Sequence, residues 1–462
     1  MKDIYLINYS VKGIKTLDQL VSLSFYKKTI SKNPDTQEYN VKGIYGMNGS
    51  GKSGIVTSVD ILRNLIINPN YLNNPIVQKN LDAIINKKIG ELFIEADYIL
   101  KIESGVIFFR YGVTLAKNTA GKYVISYEQL SIKKATSKSD SMETMYKVVS
   151  GEIVDIRGKG DEKFSGMILT KTINLLETAS VCALFGEKIL IPTSNDLKKY
   201  RNVLWDSLLT LLIFGQRLHV YLDESDDHKD FIIHHSLRYL DDLENDHLKY
   251  NSLMKNVLVL NSDYLNVISV GENFVSKDRY EPFSKTVGKL YDFLHIFKSD
   301  LQSIEIDRKE DHDFWVCNLI MVYESYKIHA EFESTGLKKL IRLFAYLSEM
   351  VQGGIVFIDE FDSNLHDVYL CALLEYLMEY GKGQLCFTTH NVGPMDVLKQ
   401  HKKSIDFLSV DHKIYPWTTN GNYSPSKLYR GGMIEGSPFN VDSIDFIGVF
   451  DLSGEDESWV SS

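Results

Sequence analysis

Apolar and polar positions change rhythm several times along the chain. Val41 to Tyr45 is a short apolar run entering a glycine-rich turn, and Ser53 to Leu62 then reads as a helix, so the pattern predicts strand, loop, helix. Glu91 to Ile102 and Val106 to Leu115 alternate like strands, with Glu103-Ser104-Gly105 as the turn between them. These are expected to form an antiparallel β lobe. From Lys133 to Ser299 apolar residues such as Leu237, Leu240, Leu243 and Leu248 recur at three- to five-residue steps among many charges, which predicts a mainly helical insertion. No heptad persists long enough for a coiled-coil arm. Strand signals return at Ile304, and Ile355 to Ile358 is a continuous apolar run, as in a buried parallel strand.

Composition narrows the class. A chain of 462 residues, 44% hydrophobic and 24% charged, is a folded protein of two or three units. Its most apolar stretch, Leu208 to Gly215, is short and runs into Gln216 and Arg217, so no membrane span is expected. Asp3 and Asn8 interrupt the segment that a signal peptide would keep apolar. Cys182, Cys317, Cys371 and Cys386 form no CxxC pair, which points to the reducing cytoplasm and away from a disulfide framework or structural zinc. A net charge of -10 opposes broad attraction to nucleic acid. The basic pairs Lys133-Lys134, Lys338-Lys339 and Lys402-Lys403 read as solvated faces.

The strongest chemical signal is Gly46-Met47-Asn48-Gly49-Ser50-Gly51-Lys52-Ser53, a full G-x-x-x-x-G-K-[ST] match between a strand and a helix. Glycines let successive backbone amides turn inward to cradle phosphate, and the following helix adds its positive end. Lys52 can then reach the β- and γ-phosphates, while the Ser53 hydroxyl can ligate Mg²⁺. Ile355 to Ile358 ends in Asp359 and Glu360 at the carboxyl edge of a strand, where α/β sheets bind ligands. Such an ending is common by itself and becomes specific when paired with a P-loop. Asp359 is assigned to Mg²⁺ and Glu360 to the attacking water. Asp359 follows Lys52 by 307 positions (359 minus 52), which suits a split head better than a compact GTPase-like domain. Ser334 and Gly336 open another helix, and Gln384 to Thr388 is a strand delivering His390 to its end.

This order resembles the ABC-type ATPase head of SMC proteins, double-strand-break repair ATPases and the "AAA family ATPase" proteins of bacterial phage-defence operons. It is similar to the ATPase subunits of PARIS- and OLD-related abortive-infection systems. Asn48 before Gly-Ser-Gly-Lys-Ser looks like their Walker A variant, and Ser334-Thr335-Gly336-Leu337-Lys338 like a divergent signature lacking its usual second glycine. Asp359 to His366 resembles Walker B plus D-loop, Thr389-His390-Asn391 the switch histidine, and Ile7 to Ile14 the first strand. Gln129 is a candidate for the Q-loop. The resemblance implies an α/β fold, an ABC-type P-loop head with a mixed sheet and antiparallel β lobe, interrupted by the helical insertion. Residues 1–130 would be its N-terminal half, 131–300 the insertion and 301–462 its C-terminal half.

The resemblance also implies ATP and Mg²⁺ as cofactors, with Gly46, Asn48, Gly49, Ser50, Gly51, Lys52 and Ser53 around the phosphates. Ser334, Gly336 and Asp362 would contribute from the other protomer of a homodimer or higher oligomer. Glu360 and His390 would be catalytic, and Ser53 and Asp359 would hold the metal. A separately encoded effector, nuclease or toxin, is the implied partner, because about seventy residues follow His390 without an Asp-x-Asp pair for a nuclease. A DNA-clamping repair or chromosome ATPase and a nucleotide-dependent scaffold with little hydrolysis remain alternatives. His228, His234, His235 and His247 fit no metal-ligand spacing and read as solvated helix residues, and Asp223 to Asp227 as a solvated loop.

Overall fold

Strands β1 (Ile4–Lys12) and β2 (Val21–Ser24) lead into β3 (Val41–Tyr45), the glycine-rich loop and helix α1 (Lys52–Ile67). These coordinates are a computed structural model, which describes residues 4–102, 105–135, 137, 141–158, 163–190, 202–222, 267–418 and 423–437. The chain continues through β4 (Glu91–Ile102), β5 (Gly105–Lys117), β6 (Tyr123–Lys134), β7 (Glu143–Val149) and β8 (Glu152–Ile156). Together with β1 and β2 they form a seven-stranded antiparallel sheet in the order β2-β1-β4-β5-β6-β7-β8. The alternation read from Glu91 to Leu115 is therefore part of a larger lobe.

Helix α2 (Val203–Arg217) contains the apolar stretch of the sequence and packs against α1. The approach is close: a Cβ on Gly215 would stand 2.5 Å from Cγ2 of Ile66. Strand β9 (Leu218–Tyr221) follows directly. Strands β10 (Asn273–Ser276), β11 (Ser303–Asp311), β12 (Phe314–Val322) and β13 (Lys327–His329) make a smaller antiparallel sheet under helix α3 (Tyr280–Phe297).

The central sheet holds the site. Helix α4 (Thr335–Gln352), β14 (Ile355–Ile358), helix α5 (Asp367–Tyr380), β15 (Gln384–Thr388), β16 (Ile405–Leu408) and β17 (Ile414–Pro416) complete it. Its order is β17-β16-β3-β15-β14-β9, parallel except for β17. Strands β3, β9, β14, β15 and β16 are buried along their whole length, because helices cover both faces, and their continuous apolar character follows. One core joins the lobe to α1 and α2; the other face carries Leu343, Tyr346 and Met350 of α4 with Leu370, Leu374 and Leu377 of α5. Leu337, Leu340 and Ile341 at the start of α4 belong instead to the core of the small sheet.

The middle of the chain differs from the expected helical insertion. The boundary at 130/131 falls inside β6, and β7 and β8 extend the lobe. Strand β9 pairs in parallel with β14, so part of the presumed insertion is the edge of the central sheet. Four residues following a helix are too few for a period-two signal, and β8 exposes most of its positions, so periodicity could not mark either. The leucines from Leu237 to Leu248, the four histidines and the acidic run at Asp223 lie outside the described residues.

Candidate nucleotide site

The loop between β3 and α1 has backbone that requires its glycines. Gly49 and Gly51 have φ of +80° and +104°, in the left-handed region, and Gly51 caps α1. A Cβ on Gly46 would stand 2.4 Å from the carbonyl oxygen of Leu408, and one on Gly51 2.3 Å from Cδ2 of Leu17. Asn48 is exposed at the tip, Ser53 is half-buried, and Ser50 is buried. The Ser50 hydroxyl has no hydrogen-bond partner among the described residues. A buried hydroxyl without a partner is costly unless a ligand supplies one, and a glycine-lined turn at a helix N-terminus suits phosphate. The residues present therefore fit a bound nucleotide phosphate.

Lys52 is buried, and its ammonium donates to the carbonyls of Gly46 at 2.7 Å and Met47 at 3.1 Å. Burial pushes it down to about 8, against the opposing influence of the Asp359, Glu360 and Asp362 carboxylates. This places the lysine and the three acids in one electrostatic neighbourhood. The sheet order explains it: β15 separates β3 from β14, and all three strands run parallel, so their carboxyl ends lie along one edge.

Asp359 and Glu360 follow β14. The Thr388 hydroxyl, at the end of β15, donates to Oδ1 of Asp359 at 2.5 Å and accepts the amide of Glu360 at 2.8 Å. Glu360 has a φ of +49° and an exposed side chain. His390 is also exposed, yet partial desolvation and then the nearby Lys52 ammonium hold its imidazole below the ordinary value. Asp362, Glu360 and Asp359 oppose that shift. Neighbouring Asn391 is tied to Asp367 at the start of α5 by a hydrogen bond from its amide nitrogen.

Ser334 stands apart from this group in its contacts, whereas Gly336 rests on the turn that carries the acids. Ser334 is the exposed N-cap of α4 and accepts the Leu337 amide at 3.3 Å. Gly336 packs on the turn after β14, where a Cβ would meet the Asn364 carbonyl oxygen at 2.5 Å. Gln129 sits in β6, where it accepts from Tyr127 and donates to Ser131, so its side chain is committed within the lobe. Two residues of consequence escaped sequence reading. Thr388 was visible only as the last apolar-strand position before Thr389-His390. Lys339, half of a supposedly solvated pair, is 2% exposed.

A P-loop heading a buried helix, with paired acids one strand away on a parallel sheet, is the arrangement of an α/β P-loop nucleotide-binding fold. Residues 219–396 match the family model described as AAA domain, putative AbiEii toxin, Type IV TA system. That span covers α4 and the segment from Asp359 to His390, and it leaves out the P-loop. No curated protein matches the chain in sequence. Among solved structures it is similar to the recombination mediator protein RecF-ATPrS in the RecFOR pathway. The identity is 12% over 90% of this chain and 99% of that one, with a TM-score of 0.39. It is also similar to the SMC head domain from Thermotoga maritima, at 13% identity over 90% of this chain and all of that one, with a TM-score of 0.31. Among the described residues, no helix is long and apolar enough to cross a membrane, and no group of three or more His, Cys, Asp and Glu could hold a metal ion.

Proposed function

We propose that the protein binds and hydrolyses ATP with Mg²⁺, and that ATP-dependent pairing of two heads controls a separately encoded effector in anti-phage defence. One observation carries the ATP reading: the buried Lys52 ammonium, pushed down to about 8, shares its surroundings with Asp359, Glu360 and Asp362 at the edge of a parallel sheet. A polyphosphate offers that ammonium the charge that burial denies it.

In this reading the backbone of Gly46, Asn48, Gly49, Ser50 and Gly51 cradles the phosphates. The Ser53 hydroxyl and the Asp359 carboxylate would hold Mg²⁺, which supplies positive charge against the phosphate oxygens. Glu360 orients or deprotonates water, and His390, kept neutral, faces the terminal phosphate. Ser334, Gly336 and Asp362 serve the nucleotide of the paired copy. The exposure of Ser334 supports that arrangement, as does Phe332, 73% exposed two residues before it. The toxin and toxin–antitoxin wording of the matching family supports the defence role.

Calorimetry with ATP and magnesium tests the first step: uptake by the wild type, and little by Lys52→Ala, is expected, and no uptake by the wild type overturns the reading. Glu360→Gln is expected to lower turnover steeply to a small residual rate that can still be measured, and to accumulate a larger ATP-bound species on sizing. Equal, slow turnover in wild type and Glu360→Gln would favour a scaffold. Duplex binding that weakens steeply with salt would favour a DNA clamp.

A further inference from the structure

Lys339 sits in the second turn of α4, five residues after the exposed cap Ser334, and is 2% exposed. A lysine buried to that degree must have its ammonium satisfied by the protein. Its Nζ donates to the backbone carbonyl oxygen of Glu360 at 2.6 Å and to the hydroxyl of Ser363, and it stands 5.8 Å from the ring centroid of Tyr221 on β9. Both oxygens belong to the turn after β14. The carbonyl is that of a residue whose φ of +49° is unfavourable for any side chain but glycine's absence of one. Such a backbone persists only where its surroundings hold it. Here the amide of Glu360 is held by Thr388 and its carbonyl by Lys339.

The same helix carries Ser334 and Gly336, and Gly336 rests against the Asn364 carbonyl of the same turn. The start of α4 is thus seated on the acidic turn at two places, one by close backbone approach and one by a buried cation. We propose that Lys339 is a positioning residue: it sets the backbone from which the Glu360 side chain projects. A shift of α4, whose first residues face the nucleotide of the paired copy, would thereby be passed to the carboxylate serving this copy's own nucleotide. This rests on the roles given to Glu360 and Ser334 under the proposed function.

Lys339→Met keeps a stem of similar length against Tyr221 and removes the ammonium. ATPase turnover, counted per ATP-binding site titrated with ATP and magnesium, is expected to fall about 10- to 100-fold, with ATP affinity within about twofold of wild type. This is the signature of a lost transition-state contact. Lys339→Arg, which keeps a cation, is expected to retain more turnover than Lys339→Met. In a Glu360→Gln background, Lys339→Met is expected to cause no further loss, because two residues acting as one unit are not additive. Turnover of Lys339→Met within twofold of wild type overturns the proposal, as does an equal loss in both backgrounds. If the methionine variant does not fold, Lys339→Gln carries the same expectation and the same overturning result. Failure of Glu360→Gln itself to lower turnover would instead strike the role of Glu360, so the two readings fail separately.

Discussion

The hydroxyl of Thr388 donates to Oδ1 of Asp359 at 2.5 Å, and its Oγ1 accepts the amide of Glu360 at 2.8 Å. One buried side chain on β15 thus fixes the two acidic residues that follow β14. Valine at 388 would fill similar space, leaving the Glu360 amide without that acceptor and the Asp359 oxygen without that donor. A buried amide left unsatisfied costs about 1–3 kcal/mol and a part-buried one less, so Thr388→Val is expected to lower stability by about 1 kcal/mol and turnover at least ~10-fold, while Thr388→Ser restores most of both. Denaturant melts and ATPase assays on the two variants check this.

Lys52 gives a pH signature for nucleotide binding. Its ammonium is lowered to about 8, and a triphosphate stabilises the protonated form. Binding is then coupled to proton uptake above that pH and indifferent to this lysine well below it. ATP affinity is expected to fall up to ~10-fold per pH unit above about pH 8, and calorimetry at pH 8.5 in buffers of different ionisation enthalpy should register the proton taken up.

A separate pH effect belongs to the lobe. Glu128 on β6 is fully buried and accepts the hydroxyls of Tyr111 at 3.0 Å and Tyr146 at 2.7 Å, and the Val181 amide at 3.1 Å. Burial raises it to about 7, against those three donors. Its folded state therefore keeps a proton that the unfolded chain releases near 4.5. The contribution to stability is fully present below about pH 4.5 and is lost as pH rises through 7. Relative to Glu128→Gln, the wild type should lose ~1.4 kcal/mol per pH unit between about pH 5 and pH 7, read from denaturant midpoints across that window.

Beside the P-loop strand, Lys42 on β3 pairs with Asp406 on β16 at 2.7 Å, with both side chains buried. Lys42→Met leaves a buried carboxylate alone and is expected to cost about 3–5 kcal/mol, whereas Lys42→Met combined with Asp406→Leu should recover most of it. Thermal unfolding of the single and double variants distinguishes the two cases.

What the sequence could reveal depended on how local each signal was. The Gly46 to Ser53 loop and the Asp359-Glu360 pair are contiguous motifs whose residue types are dictated by phosphate and metal chemistry, so they stand out before any fold is known. Their proximity comes from strand register, Ile358 opposite Phe387 and Thr388 opposite Ile44, which no local pattern encodes. Thr388 acquires its two partners through that same register. Lys339 was hidden by its neighbour, since Lys338-Lys339 on a helix looks like a solvated face, and only the helix phase buries the second of the two. Strand β9 was hidden by brevity.

The place of β3 sets when the chain becomes competent. Its two neighbours are β15 and β16, which lie more than 330 residues further along, and neither β1, β2 nor the lobe strands pair with it. During synthesis the Walker lysine therefore emerges long before the partners that hold its strand in a sheet. Contacts of such sequence separation form slowly. A nascent chain would have to shelter the exposed edges of β3 until translation passes Leu408, and would capture nucleotide only after that point.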